Sequence, residues 1–200
     1  AEPHRDRRYP GQRSTPTVSG DELFVTSAAG DIYCFDTRRM KPRWGGNFLK
    51  RFGGRNPGWR ISESPLVDEQ KVVITPGGPD ATLVALRRRD GELLWRSKGL
   101  SDPAAYASCI AIEAAGVEQI VALTARGLVG VAADTGRPLW RYDRPSNRTA
   151  NCPSPVAADG RVFAATGYGT GGGAVDLRRD GNRIETRQAW TTKDMVCHHG

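Results

Sequence analysis

No run of about 18 apolar residues occurs in this 200-residue chain, so nothing in it reads as a membrane-spanning helix. Its start, Ala1-Glu2-Pro3-His4-Arg5-Asp6-Arg7-Arg8, lacks the basic-then-apolar order of an export signal. Cysteine is scarce: Cys34, Cys109, Cys152 and Cys197 stand 75, 43 and 45 residues apart, without an adjacent pair or a CxxC. That spacing excludes the zinc-ribbon pattern. Lysine is rare too, with only Lys41, Lys50, Lys71, Lys98 and Lys193 among 29 basic residues, so the formal charge of +7 rests on arginine. The arginines are scattered over turn positions, as in Arg38-Arg39, Arg87-Arg88-Arg89 and Arg178-Arg179, without interleaved aromatics. A base-stacking platform needs such aromatics; the expectation is no nucleic-acid partner and a solvated rim of charge. Helical periodicity is missing as well. The 24 glycines and 13 prolines are spread between β-branched runs rather than pooled, which excludes collagen, long disordered tails and helical bundles.

What is present is repetition, and repetition fixes architecture. Trp44, Trp95, Trp140 and Trp190 are separated by 51, 45 and 50 residues. The first three each close an acidic or glycine-bearing turn, as in Asp90-Gly91-Glu92-Leu93-Leu94-Trp95 and Asp134-Thr135-Gly136-Arg137-Pro138-Leu139-Trp140; Asp180-Gly181 opens a longer turn before Trp190. Proline-marked strand starts precede them at Ser14-Thr15-Pro16, Glu63-Ser64-Pro65 and Ser154-Pro155, with Ser108-Cys109-Ile110 in the third copy. Two further strands fit inside each unit, Leu23 to Thr26 and Ile32 to Phe35 in the first, Val72 to Thr75 and Thr82 to Leu86 in the second. Four short strands per repeat predict an all-β propeller of about four four-stranded antiparallel blades. The expected blades are 13–46, 61–97, 106–142 and 152–191, with a further blade starting at 195–200.

The strand, turn, strand, Asp-Thr-Gly-x-x-x-Trp pattern, clearest at Ala133 to Trp140, resembles the repeat of pyrroloquinoline-quinone (PQQ)-like β-propellers. That family includes quinoprotein alcohol dehydrogenases and the outer-membrane β-barrel assembly lipoprotein. More narrowly, Glu63-Ser64-Pro65-Leu66-Val67, Thr75-Pro76-Gly77-Gly78, Gly167-Tyr168-Gly169-Thr170-Gly171-Gly172 and His198-His199-Gly200 are similar to PQQ-binding-like propeller repeat proteins of planctomycete-type bacteria. The resemblance implies a ring of seven or eight blades, of which this sequence is a fragment, about half. Missing blades or a second copy would close that ring. It also implies a periplasmic or cell-envelope location.

In a meander blade, the hairpin between strands two and three shares a face with the connection to the next blade. Connectors 45–61, 96–106, 141–151 and 191–197 therefore lie beside the glycine-rich hairpins at 27–31, 76–81, 125–127 and 167–173, and a site is expected at that channel mouth. The Ser-Pro marks align Arg13, Ser62, Cys152 and Cys197, with Glu63, Tyr106, Asn151, Tyr168, His198 and His199 close by. Trp44, Trp95 and Trp140 read as blade-docking residues. Trp59 breaks the repeat inside Asn56-Pro57-Gly58-Trp59-Arg60 and is read either as a surface contact for a partner or as local loop packing. Adjacent histidines on a strand face opposite ways, so His198 and His199 cannot both ligate one metal; a site from Cys152, Cys197 and His198 is the weak metal alternative. A Cys152–Cys197 disulfide and ordinary buried thiols both remain open. The run Gly167 to Gly173 has no following lysine or helix and reads as a hairpin rather than a phosphate loop.

Two function classes follow. One is a non-enzymatic scaffold or binding module that presents its loops and channel mouth to a protein or polysaccharide. The other, implied by the resemblance, is a PQQ-dependent alcohol or polyvinyl-alcohol dehydrogenase with Ca²⁺ beside the cofactor, its catalytic residues partly outside this chain. Glu63, Asp80 and Asn151 are the residues here that could offer oxygens to such an ion. The adjacent Cys-Cys pair that often lies under PQQ in those enzymes does not occur.

Overall fold

The computed structural model describes residues 11–199; residues 1–10, with the start read against an export signal, and Gly200 of the expected further blade lie outside them. Four antiparallel four-stranded meanders follow one another along the chain. Blade 1 is β1 (Thr17–Ser19), β2 (Glu22–Thr26), β3 (Asp31–Asp36) and β4 (Lys41–Asn47); blade 2 is β5 (Leu66–Val67), β6 (Lys71–Ile74), β7 (Val84–Arg87) and β8 (Leu93–Arg96). Blade 3 is β9 (Ile110–Ala114), β10 (Val117–Thr124), β11 (Gly127–Ala132) and β12 (Pro138–Tyr142); blade 4 is β13 (Val156–Ala158), β14 (Arg161–Thr166), β15 (Gly171–Asp180) and β16 (Arg183–Thr192). The described part of the expected further blade, 195–199, contains no strand. One short helix, α1 (Phe48–Phe52), lies in the first connector. The Asn47 side chain accepts from the Lys50 N–H at its start, and Gly53, at φ 67°, ends it.

Side-chain alternation on the inner strands explains why the blades stack. In β6, Val72 and Ile74 enter a core shared with Phe24, Ile32 and Cys34 of blade 1, whereas Val73 between them enters the core shared with Ile120 and Val129 of blade 3. In β10, Ile120 and Ala122 face blade 2, while Val121 and Leu123 face Val162 and Val175 of blade 4. A continuous apolar run is what a strand buried on both faces requires. Three cores fill the three junctions; among the described residues none joins blade 4 to blade 1, so the sheets form an open arc. Its end faces keep half-buried or exposed aromatics: Tyr33 packs 5.9 Å from Phe35 on blade 1, and Phe163 stacks 5.2 Å from Trp190 on blade 4.

The four repeat tryptophans occupy one position in the sheets, opposite Cys34, Ala85, Gly130 and Ala174, and a register shift follows each pair. Trp44 and Trp95 reach into the next blade, where their indole N–H groups donate to the carbonyls of Arg88 (2.8 Å) and Ala133 (3.1 Å). Trp140 is buried in the third core, but its N–H donates to Gln119 Oε1 within its own blade at 2.6 Å. Gly130, lacking a side chain, lets the indole lie back over its own sheet. At the bottom of the first junction, Arg88 binds Glu22 at 2.5 Å and the Ser19 carbonyl at 2.7 Å, fastening blade 2 to blade 1.

Candidate functional site: the channel mouth

The recurring Ser or Thr at each inner-strand start builds the mouth. Thr15 N–H donates to Ser64 Oγ (3.0 Å), Ser64 N–H to Ser108 Oγ (2.9 Å) and Ser108 N–H to Ser154 Oγ (3.2 Å), a relay that crosses all three junctions. This relay sets the register between blades. Two residues before its members lie Arg13, Ser62, Tyr106 and Cys152, so Tyr106 joins the set that the Ser-Pro marks alone gave as Arg13, Ser62, Cys152 and Cys197. Arg13 Nη1 donates to the Trp59 carbonyl at 2.7 Å, and the Trp59 N–H donates to Tyr106 Oη at 3.2 Å. The Trp59 and Tyr106 rings stand 5.9 Å apart at 59°. Burial pushes the Tyr106 phenol up, partly offset by the Trp59 hydrogen bond, and Cys152, Tyr168 and Arg13 are close enough to act on its charge. Ser62 bonds locally, to the Arg60 carbonyl at 3.3 Å. Tyr168 meets His198 edge-on at 4.8 Å, and His199 is exposed.

The polar groups deeper in the mouth are occupied by the fold. Glu63 is 2% exposed; its carboxylate accepts from the Thr75 N–H at 2.8 Å and, through the other oxygen, from the Thr75 hydroxyl. Burial raises its pKa to about 7, the two Thr75 bonds opposing that rise. Asp102, also buried, is bound by Arg141 at 2.8 Å and by the Thr124 hydroxyl at 2.7 Å. Asn151 accepts from the Asn147 N–H at 2.9 Å and donates to the carbonyls of Thr124 and Asn147 at 3.2 Å each. Asp80 Oδ1 accepts from the Gly99 N–H at 2.9 Å. Sequence pattern showed the Ser-Pro recurrence but gave it only as a strand mark. The Asp102–Arg141 pair, 39 residues apart, left no signal in it.

The oxygens implied for a Ca²⁺ beside PQQ do not fit that group. Both Glu63 oxygens and the Asn151 amide serve internal hydrogen bonds, and among the described residues no three His, Cys, Asp or Glu side chains are grouped to hold a metal. The same holds for Cys152, Cys197 and His198. Cys197 Sγ bonds the His199 carbonyl at 2.7 Å, and the His198 ring packs against Tyr168 and Gly167. All four cysteines are free thiols. Burial pushes Cys34 up to about 11 and raises Cys109 and Cys152 as well, away from the thiolate that metals and electrophiles take.

Two of the larger clefts lie on opposite faces of the blades. One, of about 700 Å³, lies on the face opposite the mouth among Asp21, Glu22, Arg43 and Arg88; Glu22 pairs with both Arg43 and Arg88, and Asp21 with Arg38. The other, of about 470 Å³, lies on the mouth face between connectors, walled by Trp59, Tyr106 and Arg148 over Ala104, Ala125 and Ala150.

The architecture recurs in known proteins. The family model described as outer membrane protein assembly factor BamB matches residues 5–200. No curated protein matches the chain by sequence. BamB from Moraxella catarrhalis superposes with a TM-score of 0.57 at 15% identity, over 92% of this chain and 65% of that one. The quinohemoprotein alcohol dehydrogenase from Comamonas testosteroni gives 0.61 at 14% identity, over 91% of this chain and 35% of that one. The computationally designed Ika4 protein gives 0.52 at 14% identity, over 89% of this chain and 93% of that one. The chain thus spans less than two thirds of the two natural proteins, and at these identities the likeness is one of fold. With its repeat tryptophans, its four meanders and a family match over nearly the whole sequence, this chain belongs to the PQQ-like β-propeller family that includes outer membrane protein assembly factor BamB.

Proposed function

We propose that this propeller is a non-enzymatic binding module of the bacterial cell envelope, presenting the loops of its channel mouth to a protein partner. The observation that carries this reading is the commitment of the mouth carboxylates. Glu63 and Asp102 are enclosed and hydrogen-bonded to the scaffold, where they hold loops in place instead of facing a substrate. The rigid serine relay and the occupied Asn151 amide act likewise, fixing the connectors at defined positions. The exposed chemistry of the mouth is aromatic and cationic, suited to a surface contact. The family's description as an outer membrane protein assembly factor supports the envelope setting.

The alternative is a PQQ-dependent dehydrogenase. Its one favourable feature here is Glu63, whose protonation falls near neutral pH, although the side chain is walled off by Thr75. Two measurements separate the readings. The chain is loaded with PQQ and Ca²⁺ and assayed for alcohol-dependent dye reduction; in parallel, a photoreactive residue is placed at Arg148 on the mouth or at Arg39 on the opposite face and irradiated in envelope extracts. The expected result is no dye reduction and a discrete protein cross-link from the Arg148 position alone. Alcohol-dependent turnover that needs added PQQ would overturn the scaffold reading.

A further inference from the structure

The mouth and the opposite face differ in charge in a way the overall balance hides. Basic residues outnumber acidic ones in the mouth loops, whereas acidic residues prevail in the turns opposite. Pairing sharpens the difference. On the opposite side Arg38, Arg43, Arg87, Arg88 and Arg89 are each held by a carboxylate. On the mouth, Arg55, Arg60, Arg126, Arg144 and Arg148 enter no ion pair among the described residues. Among the mouth acids, Asp102 and Asp143 are paired with Arg141 and Glu63 is buried, which leaves Asp80 and Asp194 as the exposed ones.

The cleft of about 470 Å³ opens in this positive field. Trp59, 48% exposed, and Tyr106 form two of its walls, meeting at 59°. That is a corner, not the flat platform on which a sugar ring stacks. The amides that would recognise hydroxyl groups are also spent. Asn147 Oδ1 accepts from the Thr149 and Ala150 N–H groups at 2.8 and 2.7 Å, and its Nδ2 donates to the Ala150 carbonyl at 3.0 Å; Asn151 is bonded as described above. What the cleft offers is an apolar corner over alanine methyls, with the Arg148 guanidinium beside it.

We infer that this cleft docks an acidic polypeptide segment, taking an apolar side chain into the Trp59–Tyr106 corner while Arg148, with Arg60 and Arg126 on adjoining residues, receives flanking carboxylates. The inference rests on the reading of the chain as a protein-binding module and specifies the partner. Tryptophan, tyrosine and arginine are the residues enriched at the energetic centres of protein interfaces, and the field of the surrounding arginines steers an anionic segment toward them.

The test is fluorescence anisotropy of a labelled decapeptide alternating glutamate with leucine, titrated with the 200-residue chain. Saturable binding that weakens about tenfold or more in R148E, and by a similar factor in W59A, is expected, with affinity falling as salt rises. A serine-for-leucine peptide and a lysine-for-glutamate peptide should both fail to bind. R148E alters an exposed side chain and leaves the fold intact, so it remains informative should W59A fail to fold. Absence of saturable binding, equal binding by R148E, or displacement by polygalacturonate at lower concentration than by unlabelled peptide would each overturn the inference. If the Arg148 position still cross-links to a protein after such a failure, the binding-module reading stands and only the acidic specificity falls.

Discussion

The indole of Trp95 lies over Gly136 of the following blade, its Cε3 occupying the space that a side-chain carbon on that glycine would need, and its N–H reaches the Ala133 carbonyl beside it. Trp44 repeats the arrangement over Gly91, where an added carbon would lie 2.6 Å from the ring. Each glycine therefore serves twice, supplying a left-handed turn (φ 69° and 74°) and leaving room for the aromatic ring that joins two blades.

Gly136→Ala and Gly91→Ala are accordingly expected to destabilise the chain by about 2–4 kcal/mol each, from backbone strain plus overpacking. Gly46→Ala serves as control, since its added carbon meets nothing within 4 Å and its backbone is not left-handed. Urea unfolding of the three variants checks this; equal loss in all three would show that the indole contact does not join the blades.

The hydroxyls at the ends of the second strands should prove unequal. Thr124 Oγ1 is bonded to Asp102, to the Gly127 carbonyl and to the Arg126 N–H, whereas Thr166 Oγ1 is buried without a partner among the described residues. Thr124→Val is expected to cost about 1–3 kcal/mol, and Thr166→Val to be neutral or stabilising. Thermal unfolding of both decides it.

Glu63 gives a pH signature of definite sign. Its folded pKa, about 7, exceeds the ordinary carboxylate value, so the native state holds the proton more tightly than the unfolded state, and stability falls as pH rises from about 4.5 through 7. Glu63→Gln keeps an acceptor for the Thr75 N–H and a donor for its hydroxyl without the ionisation. The variant should gain stability on the order of 2 kcal/mol relative to the parent between pH 5 and pH 8. A constant difference across that range would refute the assignment.

Association should map to the two ends of the arc. Trp190 is 42% exposed beside Phe163, and the Tyr33–Phe35 face is its counterpart on blade 1. Contiguous aromatic surface of this kind drives self-association. Light scattering after size exclusion should show a lower mass at a given concentration for the Trp190→Gln, Phe163→Thr double variant than for the parent. An unchanged mass would place self-association elsewhere on the molecule.

Much of the fold was legible because a propeller writes its period into the chain. Tryptophans at about fifty-residue intervals, apolar runs such as Val72-Val73-Ile74 and glycine-bearing turns are local signals, each dictated by a strand buried on both faces or a turn that needs positive φ. They sufficed for four meander blades and for the face on which the loops gather. The site was less legible. The serine recurrence is periodic in the sequence, but that it bonds blade to blade and sets Tyr106 in register with Arg13, Ser62 and Cys152 shows only in the hydrogen bonds, because the third copy, Ser108-Cys109, lacks the proline that marks the others.

Residue content and order determined that the chain is β-rich, repetitive, basic and poor in metal-ligand motifs, because these depend on which residues are present and how they recur. Tertiary structure decided which charges are spent. Arg43 and Arg88 on the outer side meet carboxylates from their own and the neighbouring blade, while Arg55, Arg60, Arg126, Arg144 and Arg148 of the mouth enter no ion pair among the described residues. Glu63 turned from an apparent ligand into an internal anchor once Thr75 closed around it, and Asp102 is anchored in the same way by Thr124 and Arg141. Pairing depends on distance in space, and distance in space is set by the stacking of blades, which no single repeat encodes.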